Sequence, residues 1–184
     1  MQSSDTPMEV RRVSKAFYLG SILGIPIVGT LFISGFMFVI DPSLMRREEP
    51  PVTWALAVAL FMIYSVVTYL MLLYKAWAAI QDGQARTTPG KAVGFCFIPF
   101  FNLYWMFQAF YGFGVDYNRY AERHSLPARL PEGLFLAYPI LLLGSSLPLI
   151  NILATLPMFV VLVLVVLKFC DAINAVADRQ TANL

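Results

Sequence analysis

The stretch RTTPGKAVGFCFIPFFNLYWMFQAFYGFG, Arg86 to Gly114, decides how this chain threads. From Ala92 to Val115 it carries no charge, which is enough for a helix to cross hydrocarbon, since roughly 20 apolar residues span a membrane core. Yet Pro99 and Asn102 fall near its middle. Proline cannot donate to a helical ladder and Asn favours helix starts, so the pair reads as a turn followed by a new helix from about Leu103. Ten of the 23 positions from Ala92 to Gly114 are Phe, Tyr or Trp, a composition suited to the headgroup boundary or a helix-packed pocket. The stretch either crosses once or enters and returns to its own side.

Outside it, the pattern is of long uncharged blocks. Hydrophobic residues make up 59% of the 184 positions and charged ones 13%, about half the charge of a soluble chain. No charge occurs in 16–40, 50–74, 92–115 or 133–167. The expected fold class is therefore all-α, a polytopic membrane bundle and a single membrane domain. After a tail over 1–15 the first span covers 17–40; it is too long for a cleaved signal peptide. The second covers 52–77, with Trp54, Tyr74 and Trp77 at headgroup level. Residues 133–170 would reach about 57 Å as one helix, nearly twice the hydrocarbon thickness. The punctuation GSSLPLIN, 144–151, divides them into spans at 133–147 and 152–174, with Asn151 as cap and 175–184 as a tail.

The distribution of Lys and Arg decides between the two threadings. If 92–114 crosses, giving five spans, the two sides carry six and seven basic residues. If it returns, giving four spans in two hairpins plus a re-entrant or interfacial segment over 92–123, they carry eleven and two. Cytoplasmic loops concentrate Lys and Arg, so the expectation is four transmembrane helices with both termini cytoplasmic; five helices is the alternative.

Two internal echoes accompany this pattern. YLMLLYKAWAAIQDGQARTT (69–88) set over LVLVVLKFCDAINAVADRQT (162–181) aligns Lys75 with Lys168, Ala79 with Ala172 and Ile80 with Ile173. IPFFNL (98–103) and LPLINI (147–152) share Pro-x-x-Asn. If the chain is duplicated, the two Lys-ended helices run in the same direction, as four spans require.

Little reactive chemistry is legible. A net charge of +2 with scattered basic residues gives no nucleic-acid partner. Cys96 and Cys170 lack metal-site spacing, and His124 reads as a solvated loop residue. No carboxylate, Lys or Arg sits mid-block, where such groups mark proton or ion paths, and phosphate-loop and hydrolase motifs are absent. The reading is non-enzymatic, with no cofactor and no metal. Polar at depth are Asn102, Gln108, Ser145, Ser146, Asn151 and Thr155, candidates for a polar cavity or for helix caps and inter-helix bonds. Thr88, Gly90 and Lys91, in a Pro-Gly turn at the boundary, are candidates for headgroup or phosphate contact. DYNRYAER (116–123) suggests a helical ion pair of Arg119 with Asp116 or Glu122.

Trp77-x-x-Ile80, then PGKAVGF (89–95), then FIPFFNLYW (97–105) resemble the bacterial multi-pass proteins grouped as domain of unknown function 4328. GQARTTPGKAVG (83–94) is more weakly similar to the RDD family of small membrane proteins. The first resemblance implies a bacterial inner-membrane protein without known activity; the second implies a transport-related role. The functional expectation is a non-enzymatic scaffold or accessory subunit in the lipid bilayer, working as a homo-oligomer or with a larger membrane-protein partner. The alternative is a small-solute or lipid-related transporter whose polar site lies where Pro99–Asn102 meets Ser145–Asn151.

Overall fold

A computed structural model describes residues 10–41, 43 and 51–182; Arg46 and Arg47, counted above, lie outside them. All regular elements among the described residues are helices: α1 Lys15–Ile40, α2 Val52–Ala79, α3 Pro89–Gly94, α4 Phe101–Arg123, α5 Glu132–Ser145 and α6 Asn151–Ala182. Three of these, α1, α2 and α6, are long and apolar enough to cross a membrane. α5 is apolar but has only 14 residues. The chain divides into two compact units, residues 16–71 and a larger one of 10–15 with 72–182.

The smaller unit is a helical hairpin. Within α1, Gly20–Gly24 widens into a π-turn ahead of the buried Pro26. Proline has no N–H for the Ile22 carbonyl four residues earlier; Ser65 Oγ of α2 donates to that carbonyl instead. Freed backbone groups in a membrane helix need such a partner, because lipid offers none. Tyr64 Oη bonds Ser21 Oγ at 3.1 Å, and Trp54 Nε1 donates to Ser34 Oγ at 3.0 Å. Gly29 lets the helices close: a Cβ there would stand 2.6 Å from the Phe61 ring. Outward, Leu31, Phe32, Val39, Leu56, Leu60 and Ile63 are exposed, an apolar surface matched to lipid tails.

The larger unit is built around α4. Its buried face presents Phe110, Phe113 and Tyr117 to α5 and α6. Phe113 lies 4.9 Å from Phe169 and 5.9 Å from Phe135, and meets Trp77 edge-on at 5.6 Å. Trp77 Nε1–H donates to the Ala109 carbonyl at 3.1 Å, satisfying its one polar atom inside the core. Leu72, Leu73, Ile80, Val165, Val166 and Ile173 complete the core. The echoed Ala-Ile pairs, Ala79-Ile80 and Ala172-Ile173, are all buried in it.

The deciding stretch is a helical hairpin of its own. Pro89 starts α3 after Thr88, whose hydroxyl accepts the Lys91 N–H. A 3-10 turn over Phe95–Phe97 follows, and then the chain reverses at Ile98–Phe100. Phe100 adopts φ 61°, ψ −44°, and Phe101 N–H donates to the Pro99 carbonyl at 2.7 Å: a γ-turn of the rare, strained hand. Asn102 does not cap. α4 begins two residues earlier than expected, at Phe101, and Asn102 gives its backbone N–H to the Ile98 carbonyl at 2.9 Å. The equivalent Asn151 makes the same backbone bond to Leu147, also 2.9 Å, but Leu149 there lacks the positive φ of Phe100, so the two Pro-x-x-Asn sites share that bond and not the γ-turn. Trp105 fastens the two arms, donating to the Ala92 carbonyl at 3.0 Å while meeting Phe95 edge-on at 4.7 Å.

The helix from Asn151 continues to Ala182 rather than ending near 174. Asn174, Asp178 and Gln180 are engaged there by the N-terminal segment: Val13 N–H donates to Asn174 Oδ1 at 2.7 Å, and Asn174 returns a bond to the Val13 carbonyl at 3.0 Å. Near the α5–α6 turn the helices approach through Gly144, where a Cβ would lie 3.3 Å from that of Ala154.

Phe113→Ala should cost about 3–5 kcal/mol of stability, the usual range for an aromatic removed from a packed core. Tyr104→Ala on the exposed side of the same helix should cost under about 1 kcal/mol. Reversible unfolding in detergent measures both, and equal losses would refute the assignment of α4 as the central packing helix.

Candidate functional site

The polar side chains of the larger unit gather where α2 ends, α4 ends, α5 begins and α6 runs past its apolar half. Asp116 on α4 is 6% exposed. It accepts the Arg86 backbone N–H at 2.9 Å and both Nε and Nη2 of the same residue at 2.8 Å. Three donors from one residue fix the 86–88 loop against α4, and the two-pronged guanidinium contact is the geometry that favours Arg over Lys. This replaces the expected Arg119–Asp116 pairing. Two helical turns on, Arg123 grips Asp82 through Nε and Nη2 at 3.0 and 2.6 Å. His124 approaches the same carboxylate at 3.3 Å and stacks on Tyr120 with ring centres 4.2 Å apart. It is thus a partly covered member of an ion cluster rather than a free loop residue.

Burial pushes the Asp82 carboxyl up, but bonds from Arg123, the Gln84 backbone N–H and His124, together with the Arg123 charge, outweigh it. The net pKa lies below the ordinary carboxylate value. Across the loop that follows, Asn118 clasps Leu130 through its amide: Oδ1 accepts the backbone N–H at 2.7 Å and Nδ2 donates to the carbonyl at 2.9 Å. Nδ2 also reaches Glu132 at 3.0 Å. The N-terminal segment lies along α6, with Arg12 paired to Asp178 at 2.7 Å and Lys15 paired to Asp171.

The sequence candidates fall into separate places. Thr88 is spent as the cap of α3, with its hydroxyl 3.4 Å from the Lys91 nitrogen. Gly90 is open, and Lys91 is exposed. Ser145 and Ser146 both donate to the Leu142 carbonyl, at 2.8 and 3.0 Å. Asn151 donates its amide to the Ser145 carbonyl, and Thr155 donates to that of Asn151 at 2.7 Å. These four therefore form one bonded set at the α5–α6 turn. Gln108 bonds Tyr104 Oη one turn earlier on its own helix, at 3.2 Å. Among the described residues no group of three or more His, Cys, Asp or Glu side chains converges as metal ligands would.

The clamps were missed because each joins residues distant in sequence, 30 positions for Arg86–Asp116 and 41 for Asp82–Arg123. One signal was available. Asp171 and Asn174 at the end of the expected span and Asp178 in the expected tail stand at i, i+3 and i+7, the spacing of one helix face, and such a polar face calls for a partner. Comparison with protein-family models, curated proteins and solved structures finds no match to this chain.

Asp82→Asn should lower stability at neutral pH. Because the native pKa is depressed, the carboxylate's contribution is complete above the unfolded value of roughly 3.9 and is lost as pH falls through the lower native one. The gap between the unfolding midpoints of wild type and variant should persist at about pH 5 and close on titration from about 4 towards 2. A gap that widens with acid would contradict the cluster.

Proposed function

We propose that this chain is a four-span membrane protein with a re-entrant aromatic hairpin and both termini cytoplasmic, acting as a non-enzymatic scaffold or accessory subunit. The observation that carries the threading is the pair of clamps. Asp82 and Arg86 precede the aromatic stretch, Asp116 and Arg123 follow it, and the two sets are bonded to each other. From Asp116 back to Phe101 is 15 residues, about 22 Å of helix, less than the hydrocarbon thickness of about 30 Å. A dip of that depth with return to the same side fits both the clamps and the eleven-to-two charge distribution. α5 alone reaches about 21 Å; with the apolar turn 146–150 it extends towards the far headgroup boundary.

The structural role is supported by the way the polar groups at depth are used. Ser145, Ser146, Asn151 and Thr155 all bond carbonyls of their own hairpin, as helix caps and braces do, whereas a transport path would need them turned to a wet cavity. Large apolar faces on α1 and α2 remain exposed, offering lipid, a second copy or a larger membrane protein a surface to pack on. The resemblance to domain of unknown function 4328 points to a bacterial inner membrane.

Crosslinking in native membranes tests the role. The expected result is a crosslinked homo-oligomer or a defined larger species that co-purifies with the chain. Only monomer, at every crosslinker length, would contradict it.

A further inference from the structure

A cavity of about 370 Å³ opens at the polar end of the larger unit, between the N-terminal segment, α4, the 128–130 loop and α6. That volume is near the lower end of small-ligand pockets, which run from about 300 to 1,000 Å³. Four cations line it, Arg12, Lys15, Arg129 and Lys168, against two carboxylates, Asp171 and Asp178. The acids are shared. Arg12 holds Asp178 at 2.7 Å, Lys15 holds Asp171, and Lys168 reaches the same Asp171 at 3.7 Å. Arg129 has only a long contact to Glu122, 3.9 Å, between two well-exposed side chains, a pairing of little strength in water. The walls are therefore net positive.

The second observation is independent of charge. Tyr117 lines the same cavity and is 0% exposed, and its hydroxyl has no hydrogen-bond partner. Buried polar groups are nearly always paired, and one that is not calls for an explanation. The Asp171 carboxylate also acts on the Tyr117 phenol, but the cations on the cavity walls outnumber the carboxylates four to two. A phenol O–H with Arg and Lys on the same walls is a donor set that complements a tetrahedral oxyanion, Arg supplying forked bonds and Lys a point charge. Ala128, Leu130 and Ala175 add apolar wall, which suits a phosphate carrying an organic substituent better than a bare hydrated ion.

We propose that this cavity binds a phosphate-bearing anion, with Tyr117, Arg129 and Lys168 as its donors. The same chemistry would come from the headgroup of an anionic lipid or from a soluble phosphate. The site lies apart from Thr88–Lys91, and it does not depend on the scaffold role.

The test uses the full chain in a neutral maltoside detergent free of phosphate, following thermal unfolding by tryptophan fluorescence. Inorganic phosphate is titrated in one arm and short-chain phosphatidylglycerol in the other, each against sodium chloride at matched ionic strength. The expected result is a saturable rise in midpoint in at least one arm. A rise with phosphatidylglycerol alone assigns a lipid headgroup; a rise with inorganic phosphate assigns a soluble ligand. Tyr117→Phe, which keeps the ring, should weaken the apparent affinity about tenfold, the loss expected for one hydrogen bond to a charged group. Arg129→Gln, at the exposed rim, should weaken it comparably without moving the ligand-free midpoint, so misfolding cannot account for both losses. No shift beyond the chloride control in either arm, or shifts that survive both substitutions, would overturn the proposal.

Discussion

A buried carboxylate must be supplied with donors, and Asp116 takes three from a single residue, Arg86. That bond ties the loop before the aromatic stretch to the helix after it, and much of the larger unit follows. With the loop held, α3 can only run away from the polar end and α4 can only run back. α4 thereby becomes the central helix whose Phe113 packs among Trp77, Phe135 and Phe169. Asn118 on Leu130 and Arg123 on Asp82 repeat the same device further along α4. Each is a polar clasp at the wet end of a helix whose other end is apolar.

The price of that reversal sits at Phe100. Its positive φ is a conformation that glycine tolerates and a bulky residue does not readily adopt, yet the turn's backbone donors are met locally, by Pro99 and Ile98 carbonyls. Phe100 is 87% exposed, so the aromatic ring at the tip is directed outward, where lipid rather than protein would receive it. The tip of the second hairpin is similar in kind: Leu149 is 96% exposed beside Leu147 and Ile152. Both turns meet backbone donors locally, which irregular backbone needs wherever water cannot reach it.

Much of this was legible in the sequence, and the limits have physical causes. The uncharged blocks gave the helices, since length and hydropathy are local properties. Pro99 marked the reversal, but Asn102 drew the cap to the wrong residue, because the γ-turn at Phe100 depends on a strained φ that no composition announces. The end of α6 was placed eight residues early, since the residues after Asn174 read as a polar tail until the N-terminal segment is laid along them. The clamps themselves are tertiary: Arg86 and Asp116 looked like one topogenic charge and half of a helical pair. Of the candidate site residues, Ser145, Ser146 and Asn151 proved to be neighbours, as their spacing in one turn required, while Asn102 bonds back into the preceding turn through its backbone N–H and Gln108 bonds Tyr104 on its own helix.

The claim on which the threading rests is that residues 82–88 and 116–128 share one face of the membrane. Single cysteines test it most directly: Gln84→Cys, Ser125→Cys and Ser43→Cys, each in a Cys96→Ala, Cys170→Ala background, probed in intact cells with a membrane-impermeant thiol reagent. The expected result is that the first two are protected until the inner face is opened, while the third reacts from outside throughout. Reaction at position 125 from outside, with position 84 protected, would mean that the aromatic stretch crosses, and would contradict the re-entrant hairpin and the four-span threading.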